Sequence, residues 1–482
     1  MKKIFFILPV TIKNSVMKNQ WASLSFLAII LLNSCTKEKL SKEEASNLTE
    51  EIPTSILTAG DGAYDVLGWG YDATKEFANA NSSGFQVIDI AAFEASNPTR
   101  IIEEFPNSQE YKEDYAAEAA TYALKISNSV DLTANFKLFG KAVSAGFTSS
   151  QTTSGKYDAK YVYGSYNLTI KQRRVRINSD ATTLQNYLTS DFVDDVNTYY
   201  TSPQILVQRY GTHILLDIYT GAKMEIKFQS ETINTNREEA ARAGIKAGAK
   251  DIFDLNISNS IDVARSSLNY NRKLYYATRG GSAAFGLTGT INLDQTNNQP
   301  INFSNWQNSS NRDNAVLVDI AQYGMMFIYD LIADPVKKAA VKTYVDQYLL
   351  NNQVYLDYLA VPIYEFYNPA GRDHHYTTSN APIVGYIGYG EKFKAYSYQV
   401  PNTVPFYRYY SYSDKDHYLS QSSSAPYNFV PEGIAFYAFP NQSTGTVPIY
   451  EYYSYSDKDH YYTRSTTTPQ NFSPFGVKFY AY

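Results

Sequence analysis

The chain has 482 residues, too many for one ordinary core, so two or three domains are expected. Its net charge is −5 with only 18% charged residues, which argues against a nucleic-acid partner. A single Cys rules out an internal disulfide. The 45 Tyr and 25 Phe favour a β-rich extracytoplasmic protein, because Tyr supplies apolar area with a polar tip.

Residues 22–34 read ASLSFLAIILLNS and lead into Cys35 and the polar run TKEKLSKEE. The apolar run is too short for a membrane span and fits the hydrophobic region of a signal peptide. Leu32-Asn33-Ser34-Cys35 resembles a bacterial lipobox, which makes 1–34 a lipoprotein signal peptide and Cys35 the lipid-attachment residue. Met17-Lys18 opens a conventional signal, so the true start is Met1 or Met17. Residues 1–34 hold four Lys and no acidic residue, and the remainder carries about −9. Residues 35–53 read as a flexible polar tether. The expected location is the outer membrane, with the chain surface-exposed or released.

Residues 54–350 mix period-two and helical patterns. Leu67-Gly68-Trp69-Gly70-Tyr71-Asp72 stands near their start. From Tyr122 onward, Leu124, Ile126, Val130 and Leu132 alternate with polar residues. A helix is expected over Asp191–Tyr200. A strictly alternating strand is expected over Lys223–Phe228. A second alternating stretch contains Leu255, Ile257, Ile261 and Val263, and its ISNS-Ile-Asp core matches ISNS-Val-Asp at residues 126–131. Such alternation suits a half-buried strand or a strand of a membrane barrel. Gly280-Gly281 and Trp306 follow, with a helix expected over Asn314–Leu331.

After a joining segment at 351–360, three repeats occupy 361–403, 404–446 and 447–482. Val361-Pro362-Ile363-Tyr364 recurs at Val404 and Val447, Asp373-His374 at Asp416 and Asp459, and Phe393 at Phe436 and Phe479, each after 43 residues. The third copy is expected to hold strands at Ile449–Tyr453, His460–Thr463 and Val477–Tyr482 around a Ser454–Asp457 turn. One such unit cannot bury its apolar face alone, whereas three closed about a pseudo-threefold axis can, as in a β-trefoil or β-prism. Threefold symmetry would set His374, His417 and His460 far apart, each beside its own Asp, and His375 is read as structural with them. No metal site is therefore expected. Exposed Tyr beside acidic residues can stack on a sugar, and Tyr376, Tyr412, Tyr455, Asp414 and Asp457 are the candidates; the alternative is that most of these Tyr are core or plain surface. No phosphate-binding loop, nucleophile elbow or zinc-ligand pair appears, so neither an enzyme nor a cofactor is expected.

Tyr210-Gly211-Thr212-His213, with Gly221 after seven intervening residues, resembles the signature of the membrane attack complex/perforin (MACPF) family. Ile214 stands where that family usually has an aromatic residue, and Ala222 replaces its second glycine. The resemblance covers about 54–350. It suggests a lipoprotein of a Bacteroidetes-type bacterium and implies an α+β fold like that of MACPF and cholesterol-dependent cytolysins, a bent antiparallel sheet flanked by two helical clusters. It further implies that the clusters, within 122–166 and 229–268, are packed as helices in the soluble state, at Gly140–Gly155 and Ala240–Ala249, and unfurl into membrane hairpins when protomers close a homo-oligomeric ring. Gly221, Gly280 and Gly281 would then be hinges, and His213 structural. The expected function is a pore-forming toxin or antibacterial factor whose C-terminal repeats bind a target membrane lipid or surface glycan. The alternative is a non-lytic adhesin or glycan-binding lipoprotein.

Overall fold

A computed structural model describes residues 63–128, 156–198, 200–255 and 263–482, and Ile56–Tyr482 form one compact unit. The expected signal peptide, Cys35, the tether, the 140–155 helix and the hairpin candidates Val130, Leu132, Ile257 and Ile261 lie outside the described residues.

In chain order, β1 (Trp69–Tyr71), β2 (Ser83–Gln86) and helix α1 (Ile90–Ser96) precede β3 (Ile101–Glu104) and β4 (Ser108–Ala116). Helix α2 (Ala119–Asn128) leads toward β5 (Tyr157–Asp158) and the long β6 (Val162–Ile177). Then come α3 (Ser190–Asn197), α4 (Pro203–Tyr210), β7 (His213–Leu215) and the equally long β8 (Asp217–Thr232). Helix α5 (Arg237–Phe253) precedes β9 (Asn269–Arg279) and β10 (Thr288–Asn292). The stretch closes with α6 (Ser304–Ser309), β11 (Val316–Ile320), β12 (Met325–Phe327), α7 (Pro335–Asn351) and β13 (Leu356–Asp357).

Strands β6 and β8 pair antiparallel along their length and form the spine of a seven-stranded sheet. Each changes its outer neighbour part-way. Strand β6 pairs β4 through Tyr163–Lys171 and β3 through Arg174–Ile177. Strand β8 pairs β11 through Ile218–Gly221 and β9 from Lys223 onward. A bulge sits between Lys171 and Arg173, at the level of this exchange, and a bulge bends its strand.

The expected helix over 314–331 is absent. Val316–Ile320 forms β11, as its β-branched Val316, Val318 and Ile320 favour, Gly324 packs against the Asp217 carbonyl before β12 begins, and only a single 3-10 turn follows at Ile328–Leu331. Two real helices carry stronger signals. Both α4 and α7 begin with a capping residue followed by Pro, Ser202-Pro203 and Asp334-Pro335.

The repeats fold as three three-stranded antiparallel sheets: β14 (Val361–Asn368), β15 (Asp373–Thr377) and β16 (Ile387–Ala395); β17 (Val404–Ser411), β18 (Asp416–Ser420) and β19 (Val430–Ala438); and β20 (Val447–Ser454), β21 (Asp459–Thr463) and β22 (Ser473–Ala481). The register repeats, with Ile363 opposite Phe393, Phe406 opposite Phe436 and Ile449 opposite Phe479. These six side chains meet in one buried core, so each sheet buries its apolar face against the other two. The joining segment is pinned to the central region, since β13 pairs parallel with β5.

Candidate functional site

Strand β8 has two chemically distinct faces. Ala222, Met224, Ile226 and Phe228 point into a core with Ala241, Ile245, Ala249, Ile252 and Phe253 of α5. Lys223, Glu225 and Lys227 point the other way and line a cavity with Tyr122 and Ile126 of α2. The two helical connections therefore cover opposite faces of the sheet. Each connects antiparallel neighbours: α2 lies between β4 and β6, and α5 between β8 and β9. The ladders run up to those connections, with Ala116 opposite Tyr163 and Thr232 opposite Asn269.

Of the hairpin candidates, Leu124 is exposed on α2 and Ile126 is half-buried, while Leu255 is buried just beyond α5. Val263 opens a short helical turn, Val263–Ser266. Both connections begin as helix, as expected for a soluble state, but the sheet already includes 162–166 and 229–232. The candidate segments thus narrow to 117–161 and 233–268.

The contact of α5 with the sheet combines Ile245, Ile252 and Phe253 with several Ala and Gly, and the glycines mark its closest approaches. A Cβ on Gly244 would sit 2.3 Å from the Phe228 ring, and one on Gly248 would sit 2.7 Å from Leu274. Ala and Gly at the contact bury little apolar area for a helix of this length. The sheet's polar face holds concentrated charge. Glu225 receives Lys223 at 3.0 Å, Lys227 at 3.5 Å and Arg279 at 3.4 Å. Burial alone would raise the Glu225 carboxyl, but these three cations hold it well below the usual range. Nearby, Gln229 and Ser230 are fully buried and their side-chain polar atoms have no hydrogen-bond partner. Each such group costs about 1–3 kcal/mol relative to a hydrated state.

Gly221 and Gly280 meet where the strand partners change. A Cβ on Gly221 would lie 1.9 Å from the Ile170 carbonyl oxygen, and one on Gly280 (φ +65°) would lie 2.3 Å from that of Gly221. The Gly280 carbonyl accepts a 2.8 Å hydrogen bond from the Trp306 indole, and Gly281 (φ +71°) packs on the same ring. Ala222 is buried beside them.

Tyr210, Gly211, Thr212 and His213 tie α4 to the segment around Tyr71 through backbone and side-chain contacts. Gly211 ends α4, and a Cβ there would strike Tyr71 at 2.3 Å. The Thr212 N–H donates to the Tyr71 carbonyl at 2.9 Å, and Thr212 Oγ1 accepts from Ala73 N–H at 3.1 Å. Tyr210 donates to Asp195 at 2.8 Å. His213 lies between Thr212 Oγ1, 2.8 Å from its Nδ1, and the Phe327 ring at 4.4 Å. Burial pushes the His213 pKa down to about 3, which favours the neutral ring. Ile214 pairs with Gly70, which joins the 67–72 segment to the signature in one small sheet.

The chain matches the MAC/Perforin domain model over residues 58–356. The chain belongs to the MAC/Perforin family. The Domain of unknown function DUF5648 model matches 341–424 and 362–481, so a DUF5648 region follows the MACPF domain. Among solved structures, the chain is similar to a putative cell invasion protein with a MAC/Perforin domain from Bacteroides thetaiotaomicron, at 16% identity and TM-score 0.47, covering 59% of this chain and 60% of that one. The chain thus spans less than two thirds of that structure. It is also similar to GNIP1Aa from Chromobacterium piscinae, at 15% identity and TM-score 0.49, covering 80% and 83%. No curated protein matches.

Arg237 ties the MACPF domain together at the first turn of α5. Its guanidinium donates to the carbonyls of Ala117 (3.0 Å), Ala159 (2.8 Å), Lys160 (2.9 Å) and Tyr161 (3.2 Å). It also lies 5.4 Å from the ring centroid of Tyr398 in the first repeat. One side chain thereby joins both ends of the first connection, the start of the second, and the repeats. Nothing in the sequence distinguishes it from other helical arginines.

In the repeats, the structure corrects two expectations. Tyr376 is buried in the core, donating to the Tyr462 carbonyl at 2.9 Å, and is closed to a ligand. The His–Asp pairs cross between repeats: His374 pairs with Asp459 (2.6 Å), His417 with Asp373 (2.7 Å) and His460 with Asp416 (2.6 Å). The carboxylates converge to within 4.8 Å of one another and also accept the backbone N–H of the same histidines, so each His pairs with a neighbouring repeat's Asp and not its own, and His375 lies beside His417 at 4.4 Å, ring to ring. Tyr412 and Tyr455 are exposed, at 75% and 69%. Asp414 and Asp457 are engaged by Lys458 and Arg372 across repeat boundaries.

Proposed function

We propose that this protein is a membrane-attacking pore former, in which 117–161 and 233–268 refold into β-hairpins after the repeats dock on a target surface. The observation that carries this is topological. Each helical connection links two strands already paired antiparallel, so straightening it extends an existing ladder without changing register. Residues 233–268 supply two arms of about 16 residues and a turn, and an arm of that length reaches about 50 Å, beyond the hydrocarbon thickness of about 30 Å. Isolated hairpins leave open edges that lipid does not tolerate, so insertion requires a closed homo-oligomeric ring. The charged face of β8 would continue into the water-filled lumen and its apolar face toward lipid. The Ala and Gly positions of α5, which bury less than larger residues would, and the unsatisfied Gln229 and Ser230 keep the energy gap between the two states modest.

On this reading, Gly221, Gly280 and Gly281 are the hinge of the sheet, and Cys35 carries the lipid of an outer-membrane or released form. The three sheets act as a prism-like binding domain for a surface glycan or lipid, with Tyr412 and Tyr455 as exposed aromatic contacts. A lock tests the mechanism. Positions 164 and 245 have Cβ sites 2.9 Å apart, within a small shift of the roughly 3.8 Å of a disulfide. In a Cys35→Ser background, Gly164→Cys with Ile245→Cys should release dye from target vesicles only after reduction. Equal release when oxidised would exclude unfurling of the second connection. Absence of leakage, killing and ring assemblies from the unlocked protein on every membrane tried would favour the non-lytic adhesin.

A further inference from the structure

The three junctions between repeats are equivalent in backbone but not in chemistry. Two carry an aromatic trio. Tyr418 packs on His460 at 4.7 Å with Phe475 at the third position, and Tyr461 packs on His374 at 4.7 Å with Tyr389 at the third position. At the first junction the same positions hold His375, His417 and Glu432. His375 lies 4.4 Å from His417, ring to ring, and one ligand atom from each of the three residues falls within 4.8 Å of the others. Two positions that are aromatic at the other junctions have become metal-ligand types here.

We propose that His375, His417 and Glu432 form a zinc-type divalent cation site that clamps the first repeat to the second. His417 Nδ1 faces Asp373 Oδ2 at 2.7 Å, and that carboxylate also accepts from Tyr386. A histidine that gives its Nδ1 proton to a carboxylate presents the Nε2 lone pair, as metal-bound imidazoles do. His417 Nε2 is 3.4 Å from Glu432 Oε2, close to the edge of about 3.3 Å of a tetrahedron with bonds near 2.05 Å. His375 Nδ1 is buried and has no hydrogen-bond partner, an atom that a cation would satisfy. Arg408 donates to one lone pair of the same Oε2 at 2.6 Å and holds the carboxylate in place, leaving the other lone pair for the ion. Asp373 and Glu432 outweigh that single guanidinium in charge. Glu432 is exposed, so a fourth coordination position faces solvent. Two nitrogens and a carboxylate oxygen match zinc and not calcium or magnesium, which take oxygen ligands.

The test uses the whole protein, treated with chelator, dialysed and titrated with Zn²⁺ by calorimetry, with bound metal counted after gel filtration. One ion per chain and a zinc-dependent rise in Tm are expected. His375→Tyr installs the residue that the other two junctions carry, and Glu432→Gln alters an exposed side chain, so both should keep the fold by circular dichroism. Each should bind zinc about tenfold more weakly or worse and lose the zinc-dependent rise in Tm. Substoichiometric zinc in the parent protein, or equal affinity in both variants, would overturn the proposal. Pore activity does not enter the readout, so failure here leaves the membrane reading intact.

Discussion

Replacing Arg237 by Ala should loosen both helical connections at once. The side chain gives four backbone carbonyls their charged donor, and no carboxylate contacts it among its hydrogen bonds. Hydrogen bonds to a charged group contribute about 1.5–3 kcal/mol each, and orphaned buried carbonyls cost about 1–3 kcal/mol. The gross sum is reduced because Nη2 is shared among all four carbonyls and the buried Nη1 has no partner. Burying the cation is also unfavourable, which is why its pKa is pushed down. A net loss of about 3 kcal/mol follows, equivalent to a roughly 150-fold larger population of the opened state. Hydrogen exchange of peptides 117–128 and 237–253 measures it directly. Both should lose protection together in Arg237→Ala, while β20–β22 stays protected. Arg237→Lys should be intermediate, because an ammonium presents fewer donors and no plane to Tyr398. Unchanged protection with an unchanged Tm would refute the idea that this residue holds the two connections.

Acid should weaken the MACPF domain through His213. Its folded pKa of about 3 lies below the value of about 6.5 in an unfolded chain, so between these the unfolded state binds a proton that the fold refuses. Stability from this group is full above pH 6.5 and falls with acidification, by about 2 kcal/mol at pH 5. Urea titrations at pH 7.5 and 5 should show that loss, and His213→Gln should flatten it. Gly280→Ala should cost about 3 kcal/mol or more, with a left-handed φ and a Cβ 2.3 Å from the Gly221 carbonyl, whereas Gly433→Ala, also at positive φ (+102°) but in open space, should cost only the backbone strain of about 1–2 kcal/mol by the same titration. Tyr376→Phe should lower stability by about 1–2 kcal/mol and leave glycan-array binding unchanged. Tyr412→Ala with Tyr455→Ala should do the reverse, and loss of stability without loss of array signal would remove them as contacts.

What the sequence disclosed follows from what is local. The alternation of Lys223 to Phe228, the Ala-rich run of α5 and the 43-residue repeat each state their own geometry, and each appears in the structure as a strand, a helix and three like sheets. The segment expected as a helix over 314–331 forms strands because Val316, Val318 and Ile320 are β-branched and share one strand face, while Ser202-Pro203 and Asp334-Pro335 are local marks of a helix start and do open α4 and α7. Tyr376 and Tyr412 show the limit of composition. Both stand beside polar residues in aromatic segments, yet one is core and the other surface, because the side of a strand that faces the axis is decided by how three sheets close. The same closure sends each His to a neighbouring repeat's Asp, a pairing that a repeat cannot reveal, since every copy contains both partners. Departures from the repeat are informative for the opposite reason. His375 and Glu432 break a pattern that Tyr418, Tyr461, Tyr389 and Phe475 keep, and a break confined to one junction brings unlike side chains together where symmetry would have placed like ones. Arg237 belongs to neither class. Its partners are backbone carbonyls at 117 and 159–161, and carbonyls carry no residue identity, so a contact made wholly to them leaves no mark in the sequence.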